Sequence, residues 1–308
     1  FDEVLLANVD GRNQTAVKWL AEAEEKNEIS VSETDTEITL KASDFTYAIS
    51  KRTGLFTKLQ YAGRDYLNHP MELNIWRAPT DNDMYIRAKW ENAHFYEAYT
   101  RTYKVETIQN QYGVIVMSHV GVVAPTVQKI LDVELVWKVE SSGRITASME
   151  AEFPELPRFG VRVFFNKNLS EASYYGMGPQ ESYRDKHRAA SHGLYRSAVK
   201  DLHEDYIMPQ ENGSHFDCDY VELYNGRYGI AAVSETPFSF QASNYTQEML
   251  AQAKHNYELE ESDSTVLCID YALNGIGSNS CGPEVLAAYR FDEKEFQFGF
   301  TLVPYVKG

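Results

Sequence analysis

The sequence predicts an all-β fold, a large antiparallel β-sandwich, and three observations carry that reading. Apolar and polar residues alternate at a period of two along most of the chain, and turn residues separate the short runs. No strand–helix alternation and no repeat of roughly 20 to 50 residues appears, which sets aside solenoids, propellers and parallel α/β folds. At 308 residues the chain is long enough for one large β domain or two ordinary ones.

From the start, Ala16 to Lys26 is the best helix former, but it has few apolar positions and ends in a charge cluster. It reads as a linker or partial helix. Ile29 and Val31, Ile38 and Leu40, then Phe45, Tyr47 and Ile49 alternate with polar residues as half-buried strands do. Gly54 and Gly63 punctuate the next hairpin. Alternation resumes over Val114–Met117, Val133–Val139, Ile145–Met149 and Val161–Phe165, and ends where Phe296, Phe298, Phe300 and Leu302 share one face. About fifteen to twenty short strands are expected. One internal helix is predicted over Gln247–His255, with Thr246 as N-cap, Glu248 in the first turn and Lys254 and His255 in the last.

Hydrophobic residues make up 43% and charged residues 24%, the balance of a globular protein. The formal charge of −16 repels a phosphate backbone, so nucleic acid is not an expected partner. No run approaches the roughly 20 apolar residues of a membrane span. Phe1-Asp2-Glu3 offers neither an initiator Met nor a basic signal region, so the chain reads as part of something longer. Cys218, Cys268 and Cys281 are odd in number and lack C-x-x-C spacing, which points to reduced thiols and to neither a disulfide framework nor a zinc site.

Three segments concentrate polar chemistry. Trp76-Arg77-Ala78-Pro79-Thr80-Asp81-Asn82-Asp83 reads as a turn in which Arg77 is held by Asp81 or Asp83, since Asp and Asn cap local backbone and Arg forks onto carboxylates. Its D-x-D lacks the Gly and final Glu of a calcium loop. In Tyr174–Asp185, two glycines and Pro179 force a sharp turn followed by Gln180, Glu181, Tyr183, Arg184 and Asp185, without a nucleotide-binding fingerprint. Met208–His215 sets Gln210, Glu211 and Asn212 around Gly213 beside Tyr206 and Phe216. This is the mixture of planar polar groups and aromatic faces that binds sugars, and a 13% aromatic content fits that use. His187, His192, His203 and His215 lie close in sequence, but dispersed strand positions favour structural or surface roles over an acid/base site.

The strings NIWRAPTDND, LPRFGVRVFF, YYGMGPQESYRDKH, YIMPQENGSH, FSFQASNYTQEML and GIGSNSCGP follow one another in an order that resembles the carboxy-terminal domain of long-chain bacterial β-galactosidases of glycoside hydrolase family two. The resemblance runs from about Ile29 to the end. It implies a galactose-mutarotase-like supersandwich over 28–308, with 1–27 as a junction to a preceding immunoglobulin-like domain. It implies further that the catalytic glutamates, and the Mg²⁺ and Na⁺ that members often use, belong to a preceding (β/α)₈ barrel, so that no catalytic residue, metal or cofactor is expected in this part.

On this reading the whole protein hydrolyses terminal β-D-galactosides of the lactose type, is homo-oligomeric and works in the cytoplasm, with the periplasm as the other option. This part buttresses the barrel and lends loops to its rim. The candidate carbohydrate or rim residues are Arg77, Asp81, Asn82, Asp83, Glu181, Arg184, Glu211, Asn212, His215, Asn279 and Cys281. Cys281 stands nearest to where some members place a tryptophan that stacks on the sugar, in a loop one residue shorter. Two other readings are a free-standing aldose 1-epimerase-like enzyme using a His and a Glu, and a carbohydrate-binding module.

Overall fold

The structure is a computed structural model and describes residues 13–21, 28–125, 128–152, 155–277 and 283–307. Among these, the strands are β1 (Ser30–Glu33), β2 (Glu37–Lys41), β3 (Phe45–Ser50), β4 (Phe56–Tyr61), β5 (Arg64–Asp65), β6 (Leu67–Asn74), β7 (Tyr99–Asn110), β8 (Gly113–Val123) and β9 (Lys129–Val139). They continue with β10 (Ile145–Glu152), β11 (Arg158–Asn166), β12 (Glu171–Gly178), β13 (Ser191–Ala198), β14 (Ser214–Tyr224), β15 (Tyr228–Ser243), β16 (Ser264–Leu273) and β17 (Glu295–Val306). Three short α-helices accompany them, α1 (Gln14–Leu20), α2 (Arg87–Asn92) and α3 (Gln247–Gln252).

The strands form a five-stranded sheet, β1 to β5 in sequence order, and a twelve-stranded antiparallel sheet. The large sheet runs β13-β12-β14-β15-β17-β10-β9-β8-β7 and branches at β15. One half of that long strand pairs with β17 over Tyr228–Val233, and the other pairs with β16 over Ser239–Ser243. β11 then pairs with β16 and β6.

The predicted period-two strands are all present, and the small sheet packs on the β8–β9–β10–β17 region. Tyr47, Phe56 and Leu59 from one side meet Val116, Trp137, Met149 and Phe300 from the other in one continuous core. Trp137 is fully buried, edge-on to Phe56 at 4.9 Å, and its indole N–H donates to the Gly54 carbonyl at 2.8 Å. Gly54 is in the left-handed region (φ +72) with a Cβ position 3.1 Å from Ser118 and Val120, so the hairpin tip needs glycine there.

The helices depart from expectation in three ways. The N-terminal helix spans Gln14–Leu20, capped by the Asn13 side chain accepting from the Thr15 amide. Residues 22–26 of the predicted stretch lie outside the described residues. It packs through Ala16, Trp19 and Leu20 against Tyr220, Val233, Tyr175 and Val303. α3 starts as predicted, with the Thr246 hydroxyl accepting from the Met249 amide, but ends at Gln252 and not His255. The Glu258 carboxylate takes the Lys254 and His255 amides at 2.9 and 3.3 Å, drawing that backbone out of the helix. α2 was not foreseen; it is held by its one buried residue, Trp90.

Candidate functional site

β11 is buried on both faces. Phe159, Val161, Val163 and Phe165 enter the core, while Arg158, Gly160 and Arg162 point to the opposite side, together with Glu72 and Asn74 of β6 and Cys268 and Asp270 of β16. This second face is polar, and the loop 75–86, the loop 203–213 and α3 cover it.

The cover is fastened by buried charge. Arg77, fully buried, grips Asp83 through Nε at 3.2 Å and Nη2 at 2.6 Å. Its remaining donors reach the carbonyls of Asn274 and of Gly275, the latter at 3.2 Å, and its guanidinium stacks 5.2 Å from the Trp90 ring. Asp83 also accepts from the Thr80 amide and hydroxyl at 2.9 and 3.1 Å, closing the turn. Of the two carboxylates the spacing allowed, Arg77 therefore uses Asp83. Asp81 pairs instead with Gln210, whose Nε2 donates to it at 3.2 Å.

Glu211 is the hub. Its Oε2 accepts from the Ala78 amide at 3.1 Å while its own amide donates to the Ala78 carbonyl at 3.1 Å. Its Oε1 accepts from Arg158 Nη1 at 2.8 Å. Arg158 forks onto Asp270 at 3.1 and 2.7 Å. Arg158, Glu211 and Asp270 have no exposed side-chain surface. Gly160 makes room for this: a Cβ there would lie 2.5 Å from Asp270 Oδ1 and 2.2 Å from the Ile269 carbonyl. Burial works against the Arg158 cation, but Asp270 and Glu211 outweigh it and raise its pKa. Burial pushes both carboxyls up against the pull of Arg158, Asp270 to about 6.

A second fastening holds 179–186 to 206–213. Glu181 accepts from Lys186 Nζ and Tyr206 Oη at 2.5 Å each, and from the Gly213 amide at 2.9 Å. Burial alone would raise its carboxyl, but these donors outweigh it and hold it below the usual carboxylate range. Asp185 accepts from the amides of Ile276 and Gly277 at 3.1 and 2.7 Å, and Asn82 Nδ2 donates to the Ile276 carbonyl at 2.7 Å. The loop that precedes Asn279 and Cys281 is thus gripped from two sides. Asn279 and Cys281 themselves lie outside the described residues.

The segments built into this polar layer are those carrying the motifs picked out in the sequence, and residues 41–302 match the profile of a family described as Beta galactosidase small chain. The chain belongs to the β-galactosidase small chain family. It is 41% identical over 283 residues to a β-galactosidase of Actinobacillus pleuropneumoniae, covering 91% of this chain and 28% of that protein. To a β-galactosidase of Staphylococcus xylosus it is 33% identical over 286 residues, covering 91% and 29%. The chain therefore spans little more than a quarter of these relatives' length. Among solved structures, a galactose 1-epimerase from Lactobacillus acidophilus NCFM aligns at a TM-score of 0.49 and 9% identity, over 92% of this chain and 100% of that one.

In this small-chain member the sequence-derived candidates divide into two groups. Arg77, Asp83, Glu211, Asn212 and His215 are buried, with their side chains bonded to neighbouring segments of the chain. Asn212 bridges the Glu204 amide and the Gln210 carbonyl. His215 packs between Tyr174 and Phe240, and burial lowers its pKa to about 4 despite a bond to the Met177 carbonyl, which makes it a neutral core residue near pH 7. Asp81, Asn82 and Arg184 keep some solvent contact, Arg184 with its guanidinium tied to the Arg290 carbonyl at 3.0 Å, while the Glu181 carboxylate is buried among its donors.

Arg158 and Asp270 escaped the sequence reading. Their signal was a lone charge inside an apolar strand run, as in Pro157-Arg158-Phe159 and Cys268-Ile269-Asp270-Tyr271, a placement that demands a buried partner. Among the described residues, no group of three or more His, Cys, Asp or Glu could hold a metal ion, and no helix is long and apolar enough to cross a membrane.

Proposed function

We propose that this chain is the carboxy-terminal sandwich of a longer β-galactosidase acting on terminal β-D-galactosides, in which residues 28–308 buttress a separate catalytic domain and lend loops to the rim of its active site. The observation that carries this reading is the family match over nearly the whole chain, combined with coverage of only 28% of the first relative. The geometry agrees with a supporting role. A retaining glycosidase needs two carboxyls about 5 Å apart that a sugar can reach. Glu211 and Asp270, the two carboxyls that Arg158 draws together, are sealed from solvent and spent on it. What the polar layer does supply is fixed loops, with Asp81, Asn82 and Arg184 toward the outside.

The test is β-galactoside hydrolysis by the purified chain beside the longer protein. The proposal expects turnover from the longer protein alone. Hydrolysis by the purified chain at a comparable rate would overturn it, and acceleration of galactose mutarotation by the chain would favour the epimerase reading.

A further inference from the structure

The buried layer sets two arginines against three carboxyls. Arg77 faces Asp83, and Arg158 faces both Glu211 and Asp270. Guanidinium groups keep their charge in proteins, so full ionisation of the carboxyls leaves one negative charge uncompensated in a site without solvent. Among the described residues, the cations that pack beside this cluster have carboxylates of their own. Arg162 of β11 is engaged by Glu72 of β6 and Glu248 of α3, and Lys186 by Glu181. Burial pushes the Cys268 thiol of β16 to about 12 and raises the Tyr183 phenol, so both are neutral. From β15, the side chains nearby are Ser239 and Gln241, which carry no charge.

We infer that this cluster is a proton-binding site, occupied on Asp270 in mildly acidic solution and emptied towards neutral pH, and that the proton's departure loosens the loops roofing the polar face. Asp270 is the site because it answers to Arg158 alone. Glu211 draws on Arg158, on the Ala78 amide and on the field of Arg77. The burial that lifts Asp270 to about 6 puts the transition in that range. The coupling to the loops is direct, because the excess charge repels Glu211, and the Glu211 carboxylate is one of the groups that tie 75–86 to 203–213, beside the Asp81–Gln210 pair. The proton binding stands independently of the β-galactosidase reading; only an effect on hydrolysis would rest on it.

The test is infrared difference spectroscopy of the chain between pH 5 and pH 8. A pKa of about 6 makes the site about nine-tenths protonated at pH 5 and about one-hundredth at pH 8. The expected result is one buried carboxyl band lost with a midpoint near pH 6, shifted by carboxyl-¹³C aspartate and absent in Asp270→Asn. Should Asp270→Asn fail to fold, the isotope shift in the unaltered chain decides. A missing band, or one that aspartate labelling leaves unmoved, overturns the site.

Glu211→Gln gives a second check, because Arg158 would then face one carboxylate. The Asp270 midpoint should fall below pH 5, and an unchanged midpoint would overturn the charge-excess argument. Amide exchange over 75–86 and 203–213, corrected for intrinsic rates, should be several-fold slower at pH 5 than at pH 8; equal protection would overturn the loosening.

Discussion

Replacing Arg77 by Lys removes a fork and leaves a point. In the native turn the guanidinium makes two charge-assisted bonds to Asp83 and two to the carbonyls of Asn274 and Gly275, all buried. A lysine ammonium on a shorter reach can keep one strong bond to Asp83, so one charged bond and the carbonyl contacts are lost. Hydrogen bonds to charged groups contribute about 1.5 to 3 kcal/mol each and an orphaned buried carbonyl costs about 1 to 3 kcal/mol, so one lost charged bond and two orphaned carbonyls place the loss at about 3.5 kcal/mol or more. Asp83→Asn should cost a similar amount. Asp81→Ala should cost about 0 to 1 kcal/mol, because Asp81 is exposed and pairs only with Gln210. Urea unfolding is the assay. With a slope of about 3 kcal/mol per molar or more for a chain of this size, the Arg77→Lys midpoint should drop by about 1 M. An unchanged midpoint at unchanged slope, or equal losses for Asp81 and Asp83, would refute the buried-fork argument.

Other outcomes follow from the same geometry. Trp137→Ala should lower stability by about 3 to 5 kcal/mol in the same assay, because it empties the contact between the sheets and strands the Gly54 carbonyl. Gly160→Ala forces a methyl against the Ile269 carbonyl and Asp270, and should cost about 1 to 3 kcal/mol or more, with faster amide exchange in the loops above. His215 is held neutral with its pKa lowered to about 4, so the unfolded chain binds the proton more readily. Its contribution to stability is complete above about pH 6.5 and is lost as the pH falls towards 4, by about 3 kcal/mol at most. Asp270 has the opposite sign, its raised pKa making stability fall as pH rises from about 4 to 6. Comparing His215→Gln with Asp270→Asn across that window separates the two, and parallel curves would contradict the assignment.

The strands were legible where one face meets water. β17 alternates because Glu295 and Gln297 are exposed while Phe296, Phe298 and Phe300 fill the core. β11 was less so, since the loops bury its second face and Arg158 and Arg162 break an otherwise apolar run. The Trp76–Asp83 turn and its pinned arginine were readable from residue types. The choice of Asp83 over Asp81 depends on the 3₁₀ turn over Asp81–Asp83 that swings one carboxylate inward. α2 has only six residues and one buried side chain, and it exists because Trp90 docks on Trp76 and Arg77, a tertiary cause with no local signature. The Arg158–Asp270 pair spans 112 positions, a distance over which sequence spacing says nothing.

The proposed function requires that the buried arginine layer fixes loops on which the activity of a longer enzyme would depend. It is tested most directly by comparing two variants of the longer protein chosen for equal loss of stability, Asp83→Asn in the layer and Phe56→Leu in the distant core between the sheets. The measurement is kcat/KM for a β-galactoside at a temperature where both remain folded. The account predicts a fall of about tenfold or more for Asp83→Asn and a change of less than about twofold for Phe56→Leu. Equal kcat/KM for the two variants would contradict it.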